Sequence, residues 1–207
     1  MALAHQSIEE KILHTAREEF LLHPYEGVSL RKICAKAGVT TGAFYNRYKS
    51  KEDLFDALVT PALKALRTYS DATEERNYDT LQEPKNWYSM WEQSMETHAA
   101  IVHMLYDNYE GLRILLFHSK GTKHENFLHD FVEDVNRRSY HFLKEAYARG
   151  VTSFLIEEEE LHMLLTAYWS AIFEPIIHGI TREKALKYSA VVVKLFNWTE
   201  VLGYTKT

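Results

Sequence analysis

Between Val28 and Lys51 the chain carries six basic residues, Arg31, Lys32, Lys36, Arg47, Lys49 and Lys51, and no acid. The protein as a whole has a net charge of −5. A positive patch on an acidic chain points to one dedicated anionic contact. The imbalance is regional: residues 1–66 hold 9 Lys and Arg against 8 Asp and Glu, and the remainder holds 15 against 21. Inside the basic window stand Thr40, Thr41, Ala43 and Asn46. Threonine and alanine methyls can meet a thymine methyl, and asparagine can pair with adenine through two hydrogen bonds. Tyr45, Arg47, Lys49 and Lys51 flank these short side chains and are suited to phosphates. This is the chemistry of a surface that lies on double-stranded DNA.

Such residues need short, well-capped helices to position them. Ser7 and Glu10 have capping-box spacing, and Ile8, Ile12, Leu13, Ala16 and Phe20 follow at helical intervals. The run His23–Gly27 ends this first helix. Ser29 opens a second, with Leu30, Ile33, Cys34 and Ala37 on one side, and Gly38 closes it. Thr40 or Thr41 caps a short third helix ending near Tyr48. Ser50 caps a fourth that carries Leu54, Phe55 and Leu58. Two short helices joined at Ala37-Gly38-Val39 make a helix-turn-helix, with Gly38 in the left-handed turn and Val39 and Phe44 toward the first helix. The N-terminal end of the third helix would then enter a major groove.

The segment "SLRKICAKAGVTTGAFYNRYKSKEDLF" carries an Ile-x-x-x-Ala-Gly-Val turn, a glycine shortly after it, an aromatic pair, the aromatic Tyr48, and Ser-Lys-Glu opening the next helix. From Ser7 to about Leu58 the chain resembles the DNA-binding domain of the TetR family of bacterial transcriptional regulators. The resemblance implies a homodimer on a roughly palindromic operator, with a C-terminal domain that holds a small-molecule pocket and sets the spacing of the two DNA-binding heads. By position it implies phosphate contacts at Tyr45 and Lys51, base contacts at Thr41, Ala43 and Asn46, and occasional base contact at Arg31. The family often has threonine where Val28 stands, so that phosphate-binding hydroxyl is missing here.

The rest of the chain reads as all-α. The expectation is about nine helices: a helix-turn-helix domain over 1–50 and a helical effector-binding and dimerisation domain over 51–207. Pro61 should kink or break the fourth helix, and the polar stretch Asp71–Pro84 reads as a loop. Helices are expected from Trp87 to about Asn108, over "GLRILLF", over about Glu125–Arg149, Glu158–Ile177 and Arg182–Leu202. Ser94 and His98 interrupt an apolar stripe, as a pocket with a few polar groups would require. Trp91, Met95, His98 and Phe131 are the candidate pocket lining, against the plainer reading of His98 as a core histidine. The last two helices are apolar on more than one side, which a second copy of the chain would cover. Leu164, Tyr168, Ile172, Val192 and Phe196 are the candidate interface.

Eleven histidines invite a metal reading. No His-Glu-x-x-His motif occurs, and a di-iron bundle needs two Glu-x-x-His pairs where this chain offers one, Glu159 with His162. His118, His124 and His129 straddle an expected turn and support metal binding weakly. No cofactor is implied, and no nucleophile–base grouping follows from spacing. Cys34 is the single cysteine and reads as a core residue, in keeping with a reducing cytoplasm. The N-terminus lacks the pattern of a signal peptide, and no apolar run approaches the roughly 20 residues of a membrane span. A helical metal sensor or enzyme containing a similar helix pair, and a DNA-binding regulator without a ligand, remain the alternative readings.

Overall fold

A computed structural model describes residues 7–82 and 95–204. Trp91 lies outside the described residues, and Met95 is described only through its backbone. The described part is helical, with one isolated β-bridge between Thr152 and Tyr204. No helix among the described residues is long and apolar enough to cross a membrane. The chain divides into two compact units. The first comprises residues up to Lys64 together with Asn108–Phe127, and the second Ala65–Asp107 together with Leu128 onward.

The first unit contains α1 (Ile8–Leu22), a 3-10 turn (Tyr25–Gly27), α2 (Leu30–Ala37), α3 (Thr41–Tyr45), the start of α4 (Lys51–Leu81) and α6 (Tyr109–His118). α1 begins where the spacing predicts. The Ser7 hydroxyl accepts from the Glu10 N–H, and the Glu10 carboxylate accepts from the Ser7 N–H at 2.7 Å. These reciprocal bonds satisfy two donors that a helix start leaves open. Ile12, Ala16, Phe20, Ile33, Phe44, Leu54 and Phe55 are fully buried and form the core. Phe20 and Phe55 meet edge to face with ring centres 5.2 Å apart, a favoured aromatic geometry. Cys34 is buried there, and burial pushes its thiol pKa up, so it behaves as a small apolar residue and not as a nucleophile.

α6 packs close to α4. A Cβ added at Gly111 would stand 3.2 Å from the Ala62 Cβ and 3.4 Å from the Leu58 carbonyl oxygen. The helix backbones approach because residue 111 has no side chain.

α4 departs from the sequence expectation. It runs unbroken through Pro61 and on to Leu81, so the segment 71–81 is helix and not loop. The apolar content of this stretch is low, and its helicity rests on contacts made at a distance in sequence. Arg138 donates to Asp71 at 2.8 Å and to Glu74 at 2.6 Å. The Tyr78 hydroxyl lies 2.9 Å from His141 Nδ1, and the Tyr78 ring meets Phe142 edge to face. Leu81 is buried at the end. Tertiary anchoring of this kind overrides weak local propensity.

The second unit adds α5 (Met95–Asp107), α7 (Phe127–Ala148, all but its first residue), α8 (Glu158–Ile177), α9 (Arg182–Leu195) and α10 (Trp198–Val201). α5 packs on α8 and α9. Arg182 pairs with Asp107 at 2.6 Å, and the Tyr106 hydroxyl donates to the Ile180 carbonyl, fixing the α8–α9 turn. Pro175 falls in the last turn of α8, where the Ile180 N–H returns to its carbonyl at 2.9 Å. The single closing helix expected over 182–202 is split. Phe196 leaves helical geometry, and Asn197 caps α10 by accepting from the Glu200 N–H. The break carries Trp198 into the interior, where it is 2% exposed.

Candidate nucleic-acid interface and candidate effector cavity

In the first unit, Gly38 sits at φ 65°, ψ 34°, the left-handed conformation that turns α2 into α3. Thr40 caps α3, its hydroxyl oxygen accepting from the Ala43 N–H at 3.1 Å. Thr40, Thr41 and Asn46 are exposed, Ala43 is partly so, and Phe44 is buried beneath them. The outer face of α3 is therefore made of short side chains, which lets its backbone come near base edges. Tyr45 is 58% exposed beside them. Arg47 is exposed and donates to the Ala43 carbonyl at 3.1 Å. Arg31 and Lys49 are exposed, and neither makes a side-chain ion pair among the described residues. Ser50 and Asp53 cap the start of α4: the Asp53 N–H donates to Ser50 Oγ, and the Lys49 N–H donates to the Asp53 carboxylate, both at 3.0 Å.

Three of the six cations have prior commitments that spacing did not reveal. Glu19, on α1, is 1% exposed, and its carboxylate pairs with Lys32 at 2.9 Å and with Lys36. The hydrogen bond from Lys36 holds the Glu19 carboxyl below the usual carboxylate range, against the desolvation that pushes it up. Lys51 Nζ donates to the Tyr25 carbonyl at 2.7 Å and the Val28 carbonyl at 3.3 Å, and lies 4.2 Å over the Tyr25 ring. Partial burial lowers its pKa, opposed by Glu26. Lys51 thus ties the turn after α1 to the start of α4, using two of its three ammonium protons.

In the second unit, α4, α7, α8 and α10 enclose a partly open cavity of about 90 Å³. Tyr69, Thr73, Glu74 and Asn77 line it from α4, Arg138, Ser139 and Phe142 from α7, Tyr168 and Trp169 from α8, and Trp198 from α10. Of the candidate pocket residues, His98 and Phe131 stand one layer behind this lining. His98 is fully buried, with Nε2 3.3 Å from the Tyr168 hydroxyl. Phe131 packs edge to face on Trp169 at 4.7 Å between ring centres. The polar side of the cavity on α4 was hidden because that stretch read as loop. Trp198 was hidden because the closing helix read as continuous, although Asn197-x-x-Glu200 is itself a cap signal.

The interface candidates divide. Tyr168, Ile172 and Val192 are 4%, 5% and 2% exposed within the chain's own fold, so they pack in its interior and offer little surface to a partner. Leu164 and Phe196 are half-buried. The large apolar residues left uncovered on α8 and α9 are Met163, Tyr188, Val191 and Leu195, with Leu195 73% exposed. Periodicity identified helices apolar on two sides but could not say which side turns inward.

Among the described residues no group of three or more His, Cys, Asp or Glu is placed to hold a metal ion. His124 Nε2 lies 2.9 Å from Asp56, and His118 is a separate, half-buried residue whose pKa is lowered first by burial and then by Arg113 and His23. His129 faces the His162 ring, and His162 lies 3.3 Å from Glu133.

Residues 12–58 match the family model for bacterial regulatory proteins of the tetR family. The solved structures similar to the chain include a transcriptional regulator (TerR/AcrR family) from Aquifex aeolicus, at 22% identity, 92% coverage of this chain, 99% of that chain and a TM-score of 0.56. A TetR-family member from Streptomyces coelicolor is 18% identical, with 98% and 94% coverage and a TM-score of 0.55. The TetR-family regulator PfmR from Thermus thermophilus is 20% identical, with 88% and 97% coverage and a TM-score of 0.53. These likenesses extend the shared fold well beyond the helix-turn-helix.

Proposed function

We propose that this chain, a member of the TetR family of bacterial DNA-binding transcriptional regulators, is a repressor that binds a palindromic operator as a homodimer and is released by a small-molecule effector. The observation that carries the reading is the exposed face of α3, where Thr41, Ala43 and Asn46 lie beside Tyr45, Arg47 and Lys49 with Phe44 anchoring the helix from below. Thr40, Thr41, Ala43 and Asn46 read bases, with Arg31 on α2 assisting. Tyr45, Arg47 and Lys49 hold phosphates, and Lys51 contributes through its remaining proton while it braces the turn. The uncovered apolar stripes of α8 and α9 support a second copy of the chain as partner, and the aromatic cavity with convergent polar groups supports an effector site.

The test is selection of genomic fragments by the purified protein. The expected result is a short palindrome whose half-sites lie one helical turn, about 34–36 Å, or a multiple of that apart. Asn46→Ala should relax preference at one base pair of each half-site, at a cost of about 1–3 kcal/mol there. Capture of no duplex above background, or an unchanged consensus with Asn46→Ala, would count against this assignment of α3.

A further inference from the structure

We infer that the cavity of the second unit takes a compact, uncharged aromatic molecule bearing hydroxyl or carbonyl groups, an inference that rests on reading this cavity as the effector site. Its lining residues include two charged side chains, Glu74 and Arg138, and they are bonded to each other at 2.6 Å. Arg138 also donates to Asp71 and to Asp134, each at 2.8 Å. On the solvent side Arg67 meets Asp71 at 3.0 Å, and Arg137 meets Asp134. Three guanidinium groups and three carboxylates thus balance one another, and no uncompensated charge faces the cavity.

A charged ligand entering this site either breaks one of these pairs or loses its hydration without a counter-charge, and both are costly. The walls favour a flat ring: Tyr69, Trp169 and Trp198 give broad apolar surface with edges that suit stacked or edge-to-face contact. Thr73, Asn77 and Ser139 add neutral donors and acceptors. The enclosed volume, about 90 Å³, is smaller than the closed apolar cavity of about 150 Å³ that holds benzene, so it admits at most one ring, whose substituent must project through the open side.

The experiment uses three probes with one body and three charges: benzyl alcohol, benzoate and benzylammonium. Binding to the full chain is followed by tryptophan fluorescence and calorimetry. Benzyl alcohol should bind about tenfold more tightly than either ion. Glu74→Gln removes one of the carboxylates on Arg138, so the ratio of benzoate to benzyl alcohol affinity should rise about tenfold. Asp134→Asn should shift this ratio in the same direction and serves if Glu74→Gln folds poorly. Equal or tighter binding of an ion to the unmodified chain, no binding of any probe at millimolar concentration, or no rise of this ratio in the folded variants would overturn the inference. DNA capture by the same preparations separates the two readings: capture with failed probe selectivity removes only the ligand class, whereas absence of capture removes the regulator.

Discussion

Glu19 ties together the first unit in a way that its basic sequence hides. Its buried carboxylate draws in Lys32 and Lys36, so the segment is less free in charge than its composition suggests. Arg31, Arg47 and Lys49 make no ion pair among the described residues, and these, with Tyr45 beside them, are the ones we propose for DNA. Because the pairing lowers the Glu19 pKa from its ordinary 4.5, it stabilises the fold above that value, and this contribution is lost as pH falls through the depressed folded-state pKa. Glu19→Gln should therefore be less stable than the parent at neutral pH, by about 1–3 kcal/mol. The gap should narrow below pH 4.5, as urea unfolding across a pH series would show. A gap that stays constant down to about pH 3 would contradict the assignment. The left-handed turn at Gly38 and the core position of Phe44 were legible from local sequence, which also placed a cap on α3 but left it between Thr40 and Thr41, since caps and left-handed turns are local. The ties of Glu19 and Lys51 were not, because their partners lie 13 to 26 residues away.

Among the elements, the order from α1 to the start of α4 followed from local sequence signals, although α3 ends at Tyr45, before the expected Tyr48, and Ser29 precedes α2 without a side-chain cap bond. α4 beyond Asp71, the split between α9 and α10, and the inward stripes of α8 did not follow. Each is decided by packing between distant segments: Arg138 and Tyr78 hold the polar end of α4, and burial of Trp198 accompanies the break after Leu195. In the first unit, α6 comes close to α4 at Gly111. Gly111→Val should force these helices apart and destabilise the fold by about 1–3 kcal/mol, read as a lower midpoint in urea with DNA affinity reduced in step. An unchanged midpoint would mean that the Ala62 and Leu58 contacts yield freely.

For the whole molecule, the homodimer we propose would rest on the large apolar residues that α8 and α9 leave uncovered. Leu195 and Val191 are the most exposed large apolar residues of α9, at 73% and 61%. Leu195→Asp with Val191→Asp should yield a folded monomer by ultracentrifugation, with operator affinity lowered by at least about tenfold, since each head then binds its half-site alone. A variant that remains dimeric would move the interface elsewhere. The central claim, that α3 and its flanking cations lie on the operator, is tested most directly by measuring affinity for the selected palindrome across a salt series. Each phosphate contact contributes a slope of about −0.9 in log affinity against log salt, so the steep dependence of several contacts is expected for the parent chain. Arg47→Ala and Lys49→Ala should each reduce it by about 1. A flat dependence, or one that neither substitution alters, would contradict the account.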